Sequence, residues 1–137
     1  MTPAEMHLVR QSWIDIDPLR DQVSRKLYAR LFELAPDTQA MFKGDMRAQG
    51  TKLMATIGLL VAHLDRPDIM LPAAQKLAVR HVVWGIRPAH YDLVGESLMW
   101  ALAQTLGERF TPEVRAAWEA LYALLADAMK AAAYAPG

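Results

Sequence analysis

Apolar residues recur at spacings of three and four along most of the chain, which is the period of an amphipathic helix. In the stretch 18–34, for example, Val23, Leu27 and Leu31 fall on one face. The sequence nowhere has two β-branched runs flanking a hairpin turn, so a sheet has almost no support. The pattern therefore predicts an all-α protein.

Caps and breakers divide this pattern into successive helices. Thr2, Pro3 and Glu5 form a capping box with proline at the first helical position. A turn is predicted at 15–18, and the segment 65–67 is predicted to close the long central helix. The predicted helices span approximately residues 3–14, 18–34, 36–42, 46–63, 71–83, 88–106 and 112–133.

Length and composition indicate one globular domain. The 137 residues are 53% hydrophobic and 22% charged, so residues 1–137 are expected to form a single domain with a core of its own. Fifteen basic residues balance fifteen acidic ones, whereas proteins that follow nucleic-acid phosphates usually carry a basic excess, so no nucleic-acid partner is expected. The absence of cysteine excludes disulfides, iron–sulfur clusters and thiolate zinc sites.

The expected location rests on two further absences in the sequence. The first residues lack a basic segment followed by an apolar stretch, so no signal peptide is expected. Charges such as Arg30 and Glu33 interrupt the apolar runs before they reach the length of a membrane span. A cytoplasmic location follows as the default, and the neutral net charge leaves monomer and homodimer both open.

His81 is the most informative candidate residue. It lies late in an apolar helical run, shortly before the breakers Gly85 and Pro88. A histidine on the inner face of a helix can point one ring nitrogen into a cavity while the other bonds to the carbonyl one turn back, at Leu77. Such a histidine can hold an iron from one side. It can equally be a core residue satisfied by that carbonyl, and the spacing alone leaves both interpretations open.

Four other side chains are candidates for a lid over such a metal. They are Tyr28 in the second predicted helix, Phe42 before a loop, and Gln49 and Leu53 in the long helix. Gln49 and Leu53 are four residues apart and share a face, where one offers hydrogen bonds and the other fills space. Ordinary structural interpretations also exist, because buried tyrosines often anchor a core, glutamines are often solvated, and Phe42 and Leu53 suit any helical core.

Taken with the helix order, these residues resemble a globin, most closely bacterial single-domain haemoglobins and the globin part of flavohaemoglobins. The resemblance extends from Leu8 to about Lys130 and depends on the order and separation of several short strings. These strings are Leu27-Tyr-Ala-Arg-Leu-Phe32, Ala35-Pro36, Met41-Phe42, Gly44-Asp-Met46, Gln49-Gly50 with Lys52-Leu53, Arg80-His81, Pro88-Ala-His-Tyr91 and Val94-Gly-Glu96. The resemblance implies the globin fold, a 3-over-3 helical sandwich around haem b.

The resemblance also implies a role for each candidate. His81 matches the proximal histidine, the axial ligand of the haem iron. Tyr28 and Gln49 match the distal residues, whose side chains donate hydrogen bonds to a bound gas. Phe42 matches a phenylalanine that wedges against the haem plane, and Leu53 matches the apolar residue above it.

Three further positions concern the proximal side. Arg80 and Arg87 flank the histidine, and they either meet the haem carboxylates or are solvated at a helix end. Tyr91 matches a tyrosine that, with a glutamate on the last helix, surrounds the proximal histidine and makes its ring more electron-rich. An ungapped count places Ala133 at the position of that glutamate. This electron push is therefore expected to be weakened, which disfavours peroxidase-like chemistry.

The implied function is reversible binding of oxygen, with carbon monoxide as a further ligand, and reaction with nitric oxide. That reaction consumes an electron in each cycle, and the sequence ends at Gly137 without a flavin reductase. Sustained dioxygenase activity is therefore expected to need a separate reductase, and without one the protein is an oxygen carrier or store. A gas-sensing or redox-signalling globin that acts through a partner protein is the alternative, and a helical bundle without haem is a third interpretation.

Overall fold

The computed structural model describes residues 1–42, 44–83 and 87–134, with the backbone alone for residues 79–83 and 133–134. Every regular element in this part of the chain is helical, so the all-α prediction is confirmed. None of the described helices is long and apolar enough to cross a membrane. The elements are α1 (Pro3–Ile16), α2 (Arg20–Leu34), α3 (Met46–Ala62), α4 (Pro67–Val83), α5 (Pro88–Leu106) and α6 (Pro112–Tyr134), with short 3-10 segments at Asp17–Leu19, Pro36–Met41 and Gly107–Arg109.

Several helix ends follow directly from the local sequence. The Glu5 amide donates to the Thr2 hydroxyl at 3.1 Å, and the Thr2 amide donates to the Glu5 carboxylate at 2.8 Å, which is the predicted capping box. Asp45 caps α3 by accepting a hydrogen bond from the Arg47 amide at 3.0 Å. Gly107 ends α5 with a φ of +59°, a conformation that glycine adopts without strain.

Two helix boundaries differ from the predictions. The first helix continues to Ile16 and passes into the 3-10 segment Asp17–Leu19, where the sequence pattern predicts a turn at 15–18. Pro67 begins α4 instead of closing the preceding helix. Proline fits the first turn of a helix because the amide hydrogen that it lacks has no helical partner there.

The helices enclose one continuous core. Helices α2 and α5 pack against each other, α3 packs on α2, and α6 packs on α4 and α1. A buried hydrogen bond of 2.8 Å runs from the indole of Trp118 to the hydroxyl of Ser12 and joins α6 to α1. The largest fully buried side chains are Trp118, Ile16, Leu27, Met54, Leu102, Val9, Val23, Thr38 and Ser97.

Gly50 allows α2 and α3 to approach closely. A Cβ at position 50 would lie 2.7 Å from Oγ of Ser24, so a larger residue would force the two helices apart. Gly50 directly follows Gln49, and Ser24 lies one helical turn before Tyr28. The close crossing therefore brings the region of Tyr28 next to the region of Gln49.

Candidate functional site

Three aromatic rings form a cluster where α2 ends and the segment Pro36–Met41 leads to Phe42. The ring centroid of Tyr28 lies 5.3 Å from that of Phe42, in an edge-on contact, and 6.1 Å from that of Phe32. The rings of Phe32 and Phe42 are 5.8 Å apart. Edge-on and tilted contacts at these distances are favourable for aromatic side chains, so the three rings hold one another in place.

The hydroxyl of Tyr28 is the polar group of this cluster. Tyr28 is only 8% exposed, and burial raises the pKa of its hydroxyl because a phenolate would be poorly solvated there. Hydrogen bonding to the Gln49 side chain acts on this pKa in the opposite direction and more weakly. Leu53, one turn beyond Gln49, is partly buried and packs against the core. The structure therefore brings Tyr28, Phe42 and Gln49 together around a protonated hydroxyl that can donate a hydrogen bond.

A second buried tyrosine lies in the first turn of α5. Tyr91 is 5% exposed, and Tyr122 of α6 donates a hydrogen bond from its hydroxyl to the Tyr91 carbonyl oxygen. Gly95 makes room for this contact, since a Cβ there would lie 2.7 Å from Cε2 of Tyr122. Burial is the main cause that raises the pKa of the Tyr122 hydroxyl, and the neighbouring Tyr91 and Asp92 raise it further. Tyr122 therefore keeps its proton and fixes the backbone of Tyr91.

Lys130 brings a positive charge to the same place. Its Nζ lies 6.0 Å from the centroid of the Tyr91 ring, within the range of a cation–π contact. Tyr122 and Lys130 are eight residues apart in α6, which places them on one face of that helix. Sequence reasoning missed both residues. Their spacing is a usable signal only when the face of α6 that meets α5 is already known.

His90 is a third residue whose structural role could not be predicted from the sequence. It is 3% exposed, and its Nδ1 accepts a hydrogen bond from the Arg87 amide at 2.9 Å, which caps α5. The ring proton therefore lies on Nε2, which faces Oδ2 of Asp37 at 3.4 Å. Asp37 belongs to the segment that leads to Phe42, so His90 ties that segment to the start of α5, next to Tyr91.

The remaining sequence candidates are only partly described. The backbone of His81 lies in the last turn of α4, but the side chains of Arg80 and His81, like the predicted breaker Gly85, lie outside the described residues. Arg87 has an exposed side chain whose Nη2 lies 3.7 Å from Oδ2 of Asp37. In the described part of the chain, no group of three or more His, Asp or Glu side chains is arranged to hold a metal ion.

Comparison with known proteins places this helical arrangement in a family. Residues 25–129 match the Globin family. A flavohemoprotein of Rhodopirellula baltica is 34% identical over 110 residues, which cover 78% of this chain and 27% of that protein. A flavohemoprotein of Deinococcus radiodurans is 30% identical over 132 residues, which cover 94% of this chain and 33% of that protein.

A solved structure shows the same fold. It is an engineered carbene transferase, a variant of a protein described as a nitric oxide dioxygenase from Rhodothermus marinus. The two structures superpose with a TM-score of 0.89 at 25% sequence identity, over 98% of this chain and 94% of the other.

The chain belongs to the globin family, and the predicted globin fold is confirmed. Haem is the cofactor of globins, so membership identifies the cofactor class of this protein. The chain spans about a third or less of the length of the curated relatives compared above.

Proposed function

We propose that this globin binds haem b, that it thereby binds oxygen reversibly, and that it reacts with nitric oxide. The observation that carries the proposal is the Tyr28 hydroxyl, which is buried beside Gln49 and, as an ordinary phenol whose pKa burial raises further, can donate a hydrogen bond at neutral pH. Similarity to proteins named flavohemoproteins, and to a variant of a protein described as a nitric oxide dioxygenase, supports the same function.

The described residues on the distal side suit a haem. A haem face needs apolar and aromatic contacts with few, well-placed polar groups. Phe42 and Leu53 are partly buried apolar side chains at the edge of the core, where a flat apolar ring can pack against them. Tyr28 and Gln49 supply the polar groups, and their donors match the partial negative charge that develops on a bound diatomic gas.

The proximal side of the proposal uses four residues. His81 would ligate the haem iron, and Arg80 and Arg87 would meet the haem carboxylates. Tyr91 supports the proximal histidine from the first turn of α5. When bound, haem would supply an iron that binds a diatomic gas.

The side chains around Tyr28 fix its orientation. Contacts with Phe42 and Phe32 fix the plane of its ring, and Gln49 interacts with its hydroxyl. Because the hydroxyl is buried, its hydrogen bond to the gas is stronger than it would be in water. The Gln49 amide offers a second donor, so we expect oxygen to leave slowly.

Reaction with nitric oxide requires an electron source. When oxygen held by the protein converts nitric oxide to nitrate, the protein loses one electron, which must be returned before the next cycle. We therefore propose an electron-donating reductase as the partner. The protein acts as a nitric oxide dioxygenase when such a partner is present, and as an oxygen carrier or store when it is not.

Titration of the purified protein with haemin tests the proposal. We expect a saturable absorption band near the Soret region at one haem per chain, with spectra typical of histidine ligation. His81→Ala should abolish that ligation and weaken binding, whereas His7→Ala, which removes an exposed histidine from α1, should change neither. A wild-type protein that gains no such band would contradict haem binding.

A second measurement separates a catalyst from a carrier. The reduced, oxygen-saturated protein is mixed with an excess of nitric oxide, with and without a generic flavin reductase and reduced nicotinamide. We expect about one nitrate per haem without the reductase and many nitrates per haem with it. Stoichiometric nitrate under both conditions would leave gas carriage, and not dioxygenase turnover, as the function.

A further inference from the structure

The surroundings of Tyr91 contain a positive charge. Lys130 lies with its Nζ 6.0 Å from the centre of the Tyr91 ring, and the ring is almost completely buried. Among the described residues no ion pair holds the Lys130 ammonium, whereas Arg115 in the same helix is paired with Glu119. None of these ion pairs therefore neutralises the Lys130 ammonium, and the carboxylate named in this region, Asp92, acts on the hydroxyl of Tyr122.

The backbone of Tyr91 is fixed where this charge acts. The Tyr122 hydroxyl bonds to its carbonyl oxygen, and the ring of Tyr122 rests on Gly95. Tyr122 and Lys130 come from one face of α6, so a single helix both anchors Tyr91 and places a cation over its ring. In the sequence, position 133, where the resemblance to flavohaemoglobins implies a glutamate, holds an alanine.

We propose that Lys130 is a positioning residue that acts through Tyr91 to make the proximal side of the site electropositive, and that it thereby stabilises the reduced form of the bound haem. This inference rests on the proposed function, in which Tyr91 supports the proximal histidine. A cation draws electron density toward itself from an aromatic ring and opposes further positive charge nearby. Since oxidation of the iron adds one positive charge, the field of Lys130 disfavours the oxidised state.

The sign of the effect follows from this charge balance. Removing the cation should favour the oxidised iron and lower the reduction potential. It should also let the proximal histidine become more electron-rich, which strengthens its bond to iron. Because the Tyr91 ring lies in a buried, weakly screened place, these effects should exceed those of a surface charge at a similar distance.

The first experiment tests the contact itself and needs no haem. The protein is labelled with ¹³C in the tyrosine rings, and the Tyr91 resonance is assigned with Tyr91→Phe, which is practical because the chain has four tyrosines. Lys130→Met should shift the Tyr91 ring resonance in haem-free protein. Lys52→Met removes the same charge from an exposed position on α3 and should leave that resonance unchanged.

The second experiment measures the reduction potential of the haem-bound protein and the iron–histidine stretching frequency of its reduced form. Lys130→Met should lower the potential and raise the stretching frequency. Lys130→Arg keeps the positive charge, so both values should stay close to those of the wild type. Lys52→Met should produce a clearly smaller shift in potential and none in the stretching frequency.

Each outcome bears on the proposal. An unmoved Tyr91 resonance in Lys130→Met overturns it, because the contact is then absent. A moved resonance with an unchanged potential also overturns it, because the contact then does not reach the haem. If wild-type protein takes up no haem, the proposed function fails first, and the absence of a Soret band identifies that failure separately. An equal shift in Lys52→Met would show a general charge effect in place of the local one.

Discussion

The two tyrosine regions of the molecule differ in how their charge is arranged. Around Tyr28 the neighbours are aromatic rings and an amide, and no charged group contributes to the raised pKa of its hydroxyl. Around Tyr91 the neighbours include the Lys130 ammonium and the Tyr122 hydroxyl. A neutral donor suits the binding of a gas, whereas a fixed charge suits the tuning of a metal. Under the proposed function, the same residue type would serve two purposes, and its surroundings would decide which.

The largest predicted difference between the regions concerns oxygen release. Tyr28→Phe removes the buried donor, so the oxygen dissociation rate should rise roughly tenfold or more, since such a hydrogen bond contributes about 1.5 kcal/mol or more. Stopped-flow measurement of oxygen release from haem-bound protein provides the check. Tyr91→Phe serves as the comparison and should change that rate far less. Equal oxygen dissociation rates in the two variants would contradict the claim that Tyr28, and not Tyr91, donates to the bound gas.

The next prediction concerns the packing that supports Tyr91. Gly95→Ala places a Cβ 2.7 Å from the ring of Tyr122 and should destabilise the fold by about 1–3 kcal/mol through overpacking. Urea denaturation followed by circular dichroism measures the change. Gly44→Ala, whose Cβ would meet nothing within 4 Å, is the matched control and should have a far smaller effect. If Gly95→Ala left the free energy of unfolding unchanged, Tyr122 would not rest on this glycine.

Removal of the hydrogen bond between α6 and α5 is expected to cause a smaller loss of stability. Tyr122→Phe keeps the ring and removes the hydroxyl that donates to the Tyr91 carbonyl, so stability should fall by about 0.5–1.5 kcal/mol. The same urea experiment detects this. A loss as large as that of Gly95→Ala would assign the main contribution to the hydroxyl, and not to the packing of the ring.

The smallest effect is a dependence of stability on alkaline pH. Burial raises the pKa of the hydroxyls of Tyr28 and Tyr122 in the folded protein above the ordinary value of 10.0. Below that ordinary value both folded and unfolded states hold the protons, so stability does not depend on these groups. Above it the unfolded state ionises first, and stability should fall as the pH rises toward the folded pKa values. Tyr122→Phe should reduce this alkaline slope; an unaltered slope would contradict the shift.

Much of the helix pattern could be predicted from the sequence, because caps and apolar spacing act over three to four residues. The box at Thr2 and Glu5 and the glycine end of α5 are examples of this local control. The start of α4 was predicted wrongly because proline is compatible with both the end of one helix and the first turn of the next. Local signals alone do not separate those two uses.

Contacts between residues far apart in the sequence were harder to predict. Tyr122 bonds to a residue 31 positions away, and His90 faces Asp37 across 53 positions. No spacing rule relates such pairs, because they depend on which helix faces meet in three dimensions. The sequence groups Tyr28 and Gln49 as lid candidates, but only the resemblance to globins implies a shared role for them. The crossing at Gly50 supplies a physical reason for their closeness.

The most direct test of the central claim is the carbon–oxygen stretching frequency of carbon monoxide bound to the reduced, haem-containing protein. A donor hydroxyl near the gas draws electron density onto it and lowers this frequency. We expect a low frequency in the wild type and a clear rise in Tyr28→Phe, with Tyr91→Phe retaining the low distal value. Identical frequencies in wild type and Tyr28→Phe would contradict the proposal that the buried Tyr28 hydroxyl faces the bound gas.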